Sequence, residues 1–374
     1  MSLARGLAEL RAVEDTREFD LTLVTQTPRE NFDDESLPFP VVRQPGFWKL
    51  FGLVRGASVV HLAGPALSPL VLGLLSRKPV VIEHHGFQAI CPTGQMVIES
   101  RGEPCPGHFM AGRRAECWNC DPKLGWFGSR KLWLLTFLRR FLCKRVAANI
   151  MPTRWLGDQL NLPRSTMIHH GLVQLEPVKN AELLPTGVPL IAFQGRLVTS
   201  KGARVLLDAA KILCKQKQEF EVVFIGDGPE RTNLEDLAKQ PPLLGRVSFR
   251  GRLAPPELEA ALRKATILVV PSLGGEVFGM VVAENMQRGL PVIASDLGAF
   301  VEVLGATGRT FRIGSPSALA DELTRLLANT AYAAQLAELA RNRARNFFLM
   351  GNMIGQHVLL YRQHSRLNLM DEER

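Results

Sequence analysis

Short apolar segments rich in valine and isoleucine alternate along this chain with longer segments of helical period. In the first half the apolar segments cover 20–25, 58–62, 80–83, 147–151 and 166–169. In the second they cover 190–193, 221–225, 247–250, 267–270 and 292–294, with a short one at 310–313. Continuous apolar strands alternating with helices imply parallel sheets covered by helices on both faces. The stretch 173–188 has the composition of a linker. The pattern therefore predicts two Rossmann-like, doubly wound α/β domains facing each other across a cleft, at 1–175 and 176–345. A tail at 346–374, with a helical pattern over 349–363, is expected to pack across the domain junction. In such sheets ligands bind beyond the carboxyl ends of the strands. The first domain departs from the pattern at its start. Residues 1–10 read as a helix and the first strand comes only at 20. A doubly wound sheet opens with a central strand and a glycine-rich turn. The first domain is thus expected to lack its N-terminal strand, with about 20 residues lying upstream.

Residues 269–285, V-V-P-S-L-G-G-E-V-F-G-M-V-V-A-E-N, carry the densest chemistry. A strand end runs into a Pro-Ser-x-Gly-Gly turn, and a helix is predicted to start near Phe278. Glycines ahead of a helix N-terminus make an anion site, because free backbone N–H groups and the positive dipole end point the same way. Glu276 and Glu284 would repel phosphate, but they can accept hydrogen bonds from hydroxyls. Phosphate and hydroxyls together indicate a nucleotide-sugar; the plain alternative is a strand–loop–helix unit with two solvated glutamates. In L-I-A-F-Q-G-R-L-V-T-S-K-G a strand ends at Gly195, and Arg196 and Lys201 flank the loop before the next helix. Two cations at a helix start suit a diphosphate, Arg as a planar fork and Lys as a point charge. A third junction, F-I-G-D-G-P-E, offers close backbone access at Gly226 and Gly228, with Pro229 opening a helix.

The combination G-R-L-V-x-x-K-G, G-D-G-P, then E-x₇-E and G-L-P-V-I-A-S-D resembles the nucleotide-binding domain of GT-B glycosyltransferases, and more closely the retaining family-4 group. The resemblance covers 190–327 well and extends more loosely into the first half. It implies that Arg196 and Lys201 bind the donor diphosphate and that Glu276 accepts from the sugar hydroxyls. It also implies that the backbone of Phe278 and Gly279 caps sugar and phosphate, that Glu284 holds the ribose, and that the backbone around Arg252 and Leu253 faces the base. In the first half P-V-V-I-E-H-H-G aligns His85 with the family's cleft histidine, leaving His84 on the opposite face. Two positions depart from the family: Ala63 stands where a second histidine is common, and His169-His170-Gly171 replaces Pro-Asn-Gly. The implied activity is transfer from a nucleotide-diphosphate sugar to a glycan or lipid-linked acceptor with retention. The setting implied is envelope polysaccharide or lipopolysaccharide assembly. A nucleotide-sugar epimerase of the same fold and an inactive binding subunit remain open alternatives.

Composition narrows this picture. Apolar residues make up 46% and charged residues 22% of 374 residues, as expected of a globular chain of two domains. The longest apolar run, 62–75, is 14 residues with two prolines and too short to span a bilayer. No secretory signal pattern opens the chain. A cytoplasmic protein is expected, peripheral on the inner face of the plasma membrane if the following basic segment touches lipid. Net charge is +9, and residues 91–165 hold 12 Lys/Arg against 5 Asp/Glu. Within that region 131–145 reads either as an amphipathic interfacial helix or as a core-facing helix with a solvated basic side. Nothing resembles an aromatic stacking platform for nucleic acid. No D-x-D pair supports a metal-chelated diphosphate, so no catalytic cofactor is expected. Cys91, Cys105, Cys117 and Cys120 form an insertion ending in C-W-N-C. In a cytosolic enzyme such a set reads as a structural zinc site ahead of free thiols, and disulfides last.

Overall fold

The computed structural model describes residues 2–10, 18–29, 33–175 and 187–372, with side chains to 365; residues 176–186 of the expected linker lie outside the described set. The first-domain strands are β1 (Leu23–Thr25), β2 (Val41–Arg43), β3 (Val60–Ala63), β4 (Val80–Glu83), β5 (Val97–Ile98), β6 (Glu103–Pro104), β7 (Ala148–Met151) and β8 (Ser165–Met167). Those of the second are β9 (Leu190–Gln194), β10 (Glu221–Ile225), β11 (Val247–Gly251), β12 (Ile267–Val270), β13 (Val292–Ser295) and β14 (Arg309–Phe311). Each predicted strand has a counterpart shifted by at most about three residues at either end. Three were not predicted: β2 is three residues long, and β5 and β6 are two each. Segments that short carry no periodicity to read.

The second domain is one six-stranded parallel sheet in the order β11-β10-β9-β12-β13-β14. Numbered within the domain this is 3-2-1-4-5-6, the doubly wound order whose direction reverses between β9 and β12. Its central strands are apolar on both faces, with β12 and β13 buried throughout. Two apolar clusters flank the sheet, one built on the helix Ala203–Lys215 and the other on the helix Met280–Arg288.

In the first domain β3-β4-β7-β8 form a parallel sheet, while β1 and β2 pair only with each other. Among the described residues no strand joins the two pieces. The hairpin β5–β6 belongs to the cysteine insertion and reaches across: Val97 is wholly buried in the second domain's core. In return Val277 packs in the first domain's core. Polar contacts reinforce the junction. Thr153 Oγ1 donates to the carbonyl of Val277 at 2.8 Å, and Glu302 accepts from the backbone N–H groups of Arg154 and Trp155, both at 2.8 Å. A carboxylate there satisfies orphan donors at the start of the helix Arg154–Leu160. The last helix runs Met350–Glu372, nine residues beyond its predicted end. Its Met353, Val358 and Tyr361 pack against Val81, Ala148 and Ile150 of the first domain.

Candidate active site

The loops after β9, β10 and β12 converge at the reversal of strand order. After β9, Gly195 donates its N–H to the carbonyl of Ile225 at 3.0 Å, and a short 3₁₀ turn, Thr199–Lys201, delivers Lys201. Gly202 has φ +66° and caps the following helix; a Cβ there would sit 2.0 Å from the carbonyl oxygen of Pro271. That close approach lets the β9 and β12 loops touch, and Leu273 N–H donates to the Ser200 carbonyl at 2.8 Å. Gly226 has φ +139°, and a Cβ would lie 1.9 Å from the Gly195 carbonyl oxygen. Both positions therefore need glycine.

Lys201 Nζ lies 2.5 Å from Glu276 Oε1, which also accepts from Ser272 Oγ at 3.0 Å. Ser272 is in turn held by Ser295, whose hydroxyl donates to its carbonyl at 2.6 Å. Glu276 is thus fixed in the cleft wall rather than solvated as the plain alternative had it. Arg196 is exposed and has no side-chain partner among the described residues. The helix starts at Met280, two residues after Phe278 and so near the predicted start. Gly279, at φ +93° with Phe300 packed where a Cβ would go, is its cap, and Phe278 is buried against His169, His170 and Phe348. The aromatic belongs to the packing beneath the loop, while the free N–H groups of the first turn begin just after it. Glu284 is largely buried on the helix's second turn with no partner among the described residues; burial pushes its carboxyl up, and Arg288 offsets only part of this. Arg252 is exposed beyond β11, and Leu253 leans on the neighbouring core.

His85 follows β4 and faces the cleft, half exposed. Its ring stacks on His170 with centroids 5.2 Å apart, and His170 meets Phe278 edge-on at 5.2 Å. The proposed cleft histidine is therefore one ring removed from the donor-side loop. Burial lowers its pKa, and Glu83 offsets this in part. His84 points the other way, wholly buried, its Nε2 2.9 Å from Asn149 Oδ1. The Asn149 amide donates to the Cys143 and Pro163 carbonyls, which leaves Oδ1 as acceptor and places the His84 proton on Nε2. Burial lowers the His84 pKa to about 4. Glu83, which the sequence reading passed over, is the buried acid on which His61, His85, His170 and His357 converge. The only sequence signal was E-H-H at a strand end.

None of the six cysteines is in a disulfide. Cys91, Cys105, Cys117 and Cys120 line one small cavity with His108 and Phe109. Burial pushes the Cys117 thiol up to about 12. Among the described residues, the sets of three or more ligating atoms within 4.8 Å of one another are His61–Glu83–His357 and Glu83–His85–His170; the cysteines are not among them. A separate cavity of about 700 Å³ lies at the domain junction, lined by Trp155, His169, Glu302, Arg343 and Gln356, and includes none of the donor-side residues.

A parallel α/β first domain packed against a doubly wound second domain defines the class, and the fold is GT-B. Residues 176–343 match the family described as Glycosyl transferases group 1. The chain is 34% identical over 195 residues to a phosphatidyl-myo-inositol mannosyltransferase of Mycobacterium leprae, covering 50% of each. It is 31% identical over 207 residues to a D-inositol 3-phosphate glycosyltransferase of Corynebacterium urealyticum, covering 53% of this chain and 48% of the relative. The chain thus spans about half the length of these curated relatives. Two solved structures share the architecture. Sucrose-phosphate synthase from Thermosynechococcus elongatus has a TM-score of 0.69 at 21% identity, with 96% of this chain and 91% of that one covered. Anabaena HepE in complex with UDP has a TM-score of 0.67 at 17% identity, with 88% of each covered.

Proposed function

We propose that this chain is a retaining glycosyltransferase. It takes a sugar from a nucleotide-diphosphate donor held by the second domain and passes it to a glycan or lipid-linked acceptor, in assembly of cell-envelope polysaccharide or lipopolysaccharide. The observation that carries this reading is the Lys201–Glu276 pair at the β9/β12 switch point, with the exposed Arg196, which has no side-chain partner among the described residues, on the same loop. Arg196 and Lys201 supply positive charge where a diphosphate leaves, and the free N–H groups after Gly279 add to it, so no metal is required at that step. Glu276, already an acceptor for Ser272, would take hydroxyls of the sugar, and Glu284 those of the ribose. Among the described residues no second carboxylate is paired with Glu276 as a nucleophile would be, which favours front-face transfer with the leaving phosphate taking the acceptor's proton. A lipid-linked acceptor agrees with the mycobacterial relative's being a phosphatidyl-myo-inositol mannosyltransferase, and a nucleotide donor with the binding of UDP by HepE.

Contact with the membrane surface follows from the helix Gly125–Cys143. Trp126, Phe127, Leu134, Phe137 and Phe141 are exposed along it, 82% at Phe127, with Lys131, Lys144 and Arg145 beside them. Among the described residues no helix is long and apolar enough to cross a membrane. An exposed aromatic stripe flanked by cations suits the anionic inner face. The four cysteines are proposed to hold structural zinc after a small closure of their shared cavity. Screening UDP-, GDP- and ADP-sugars for thermal stabilisation tests the donor reading. One nucleotide should raise the melting temperature in the native chain and fail to do so in Arg196→Ala; no response to any nucleotide would refute it.

A further inference from the structure

The histidines around Glu83 are spaced unlike a hydrogen-bonded network. From Glu83 Oε2, His61 Nε2 lies at 3.3 Å, His357 Nε2 at 3.6 Å and His85 Nε2 at 3.7 Å, while His170 Nδ1 is 3.3 Å from Oε1. An N–H···O bond spans about 2.7–3.2 Å. The decisive ring is His357, wholly buried on the last helix. Its Nδ1 lies 2.8 Å from the Met353 carbonyl, which can only accept, so Nδ1 carries the proton. In the neutral ring Nε2 then has a lone pair, has no hydrogen-bond partner, and faces a carboxylate oxygen that also has only lone pairs to offer. Two acceptors aimed at each other away from water are costly unless something positive lies between them.

We propose that His61, Glu83 and His357 form a binding site for a divalent transition ion of the zinc type. Their ligating atoms lie within 4.8 Å of one another. Ligands bound at about 2.0–2.2 Å in a tetrahedron stand about 3.3–3.6 Å apart, close to the Glu83–His61 and Glu83–His357 separations. Two imidazoles and one carboxylate are a familiar set for such ions and leave a position open for water. The outer contacts are in place as well. The His357 Nδ1–H is tied to a carbonyl, and His61 Nδ1 lies 2.6 Å from the Tyr361 hydroxyl, one turn beyond His357 on the same helix. Three separate elements supply the ligands: β3, β4 and the last helix. The ion would therefore clamp that helix to the first domain's sheet, two residues from His85. It is distinct from the donor diphosphate site and independent of the transfer reading.

Cobalt(II) titration of the full chain, purified without a polyhistidine tag and stripped with chelator, tests the site. We expect about one equivalent to bind with visible bands that lack thiolate charge transfer, which separates it from any metal on the cysteines. Zinc should displace it. His357→Ala should abolish these bands and leave any thiolate-linked signal intact. If His357→Ala does not fold, Tyr361→Phe serves, because loss of an outer-shell partner should weaken binding about 10- to 100-fold with the circular dichroism spectrum unchanged. Absence of the nitrogen/oxygen-type bands in the native chain would overturn the proposal. So would bands unaltered in His357→Ala, or in Tyr361→Phe where that is the variant that folds.

Discussion

The second domain presents its polar groups on loops that follow neighbouring strands of one continuous sheet. The first gathers histidines from β3, the loop after β4, the segment ahead of the linker and the last helix around a single buried carboxylate. Both arrangements face the same cleft, yet they are held differently. Arg196, Lys201, Glu276 and Glu284 lie within a few residues of a strand end or a helix start, so parallel strand order brings them together. His61, Glu83, His170 and His357 meet only because a helix from the far end of the chain packs on the first domain's sheet. The donor side should therefore fail locally when a residue is changed, whereas the histidine cluster should fail with the docking of that helix.

The largest effect expected is on chemistry. Removing one charge proposed to stabilise the leaving diphosphate, in Arg196→Ala or Lys201→Ala, should lower kcat by about 10²–10³-fold, the scale seen for a single oxyanion donor. Steady-state transfer kinetics with the stabilising donor checks this, and a change confined to KM would break the donor-side half of the comparison. Next comes the close packing that lets the loops meet. Gly226→Ala places a Cβ 1.9 Å from a backbone oxygen at a φ few side chains adopt, so a loss of about 3 kcal/mol is expected. The control Gly46→Ala, with φ −64° and nothing within 4 Å, should be near neutral by the same thermal melts.

Glu284 gives a test of opposite sign. Burial raises its folded pKa above the unfolded value, so its contribution to folding is fully present below about pH 4.3 and is lost as pH rises through the folded value. Glu284→Gln should then stabilise the ligand-free protein at pH 7, by about 2–4 °C for each kcal/mol recovered, with no gain at pH 4. The same change should weaken nucleotide binding, the usual cost of a buried functional acid. Melts at both pH values with and without the donor read out both effects. The smallest effect concerns the exposed helix. Phe127→Ser with Leu134→Ser should reduce co-sedimentation with anionic vesicles several-fold while leaving the melting temperature within about 2 °C, since both side chains are already in water.

Much was legible before any coordinates. Strands such as Leu190–Gln194 and Ile267–Val270 are continuous apolar runs, and their periodicity marks them because burial on both faces leaves no polar position. The positions of Arg196, Lys201, Glu276 and Glu284 in the fold were legible because each lies within a few residues of a strand end or a helix start. Less could be read of the first domain. The strand Val41–Arg43 and the hairpin Val97–Ile98 with Glu103–Pro104 are too short for a pattern, and they exist because tertiary contacts stabilise them. The burial of Phe278 in a core shared with His169, His170 and Phe348, just ahead of the helix at Met280, was not legible because those partners lie far along the chain.

The sequence by itself thus determined the strands of two α/β domains and the loops and helix starts that carry Arg196, Lys201, Glu276 and Glu284, since both depend on local order along the chain. Only the tertiary structure decided that Lys201 pairs with Glu276, that Val97 is buried in the opposite domain, and that His61 and His357 meet at Glu83. Lys201 and Glu276 are 75 positions apart and His61 and His357 nearly 300, and no spacing along the chain encodes a meeting that packing alone brings about.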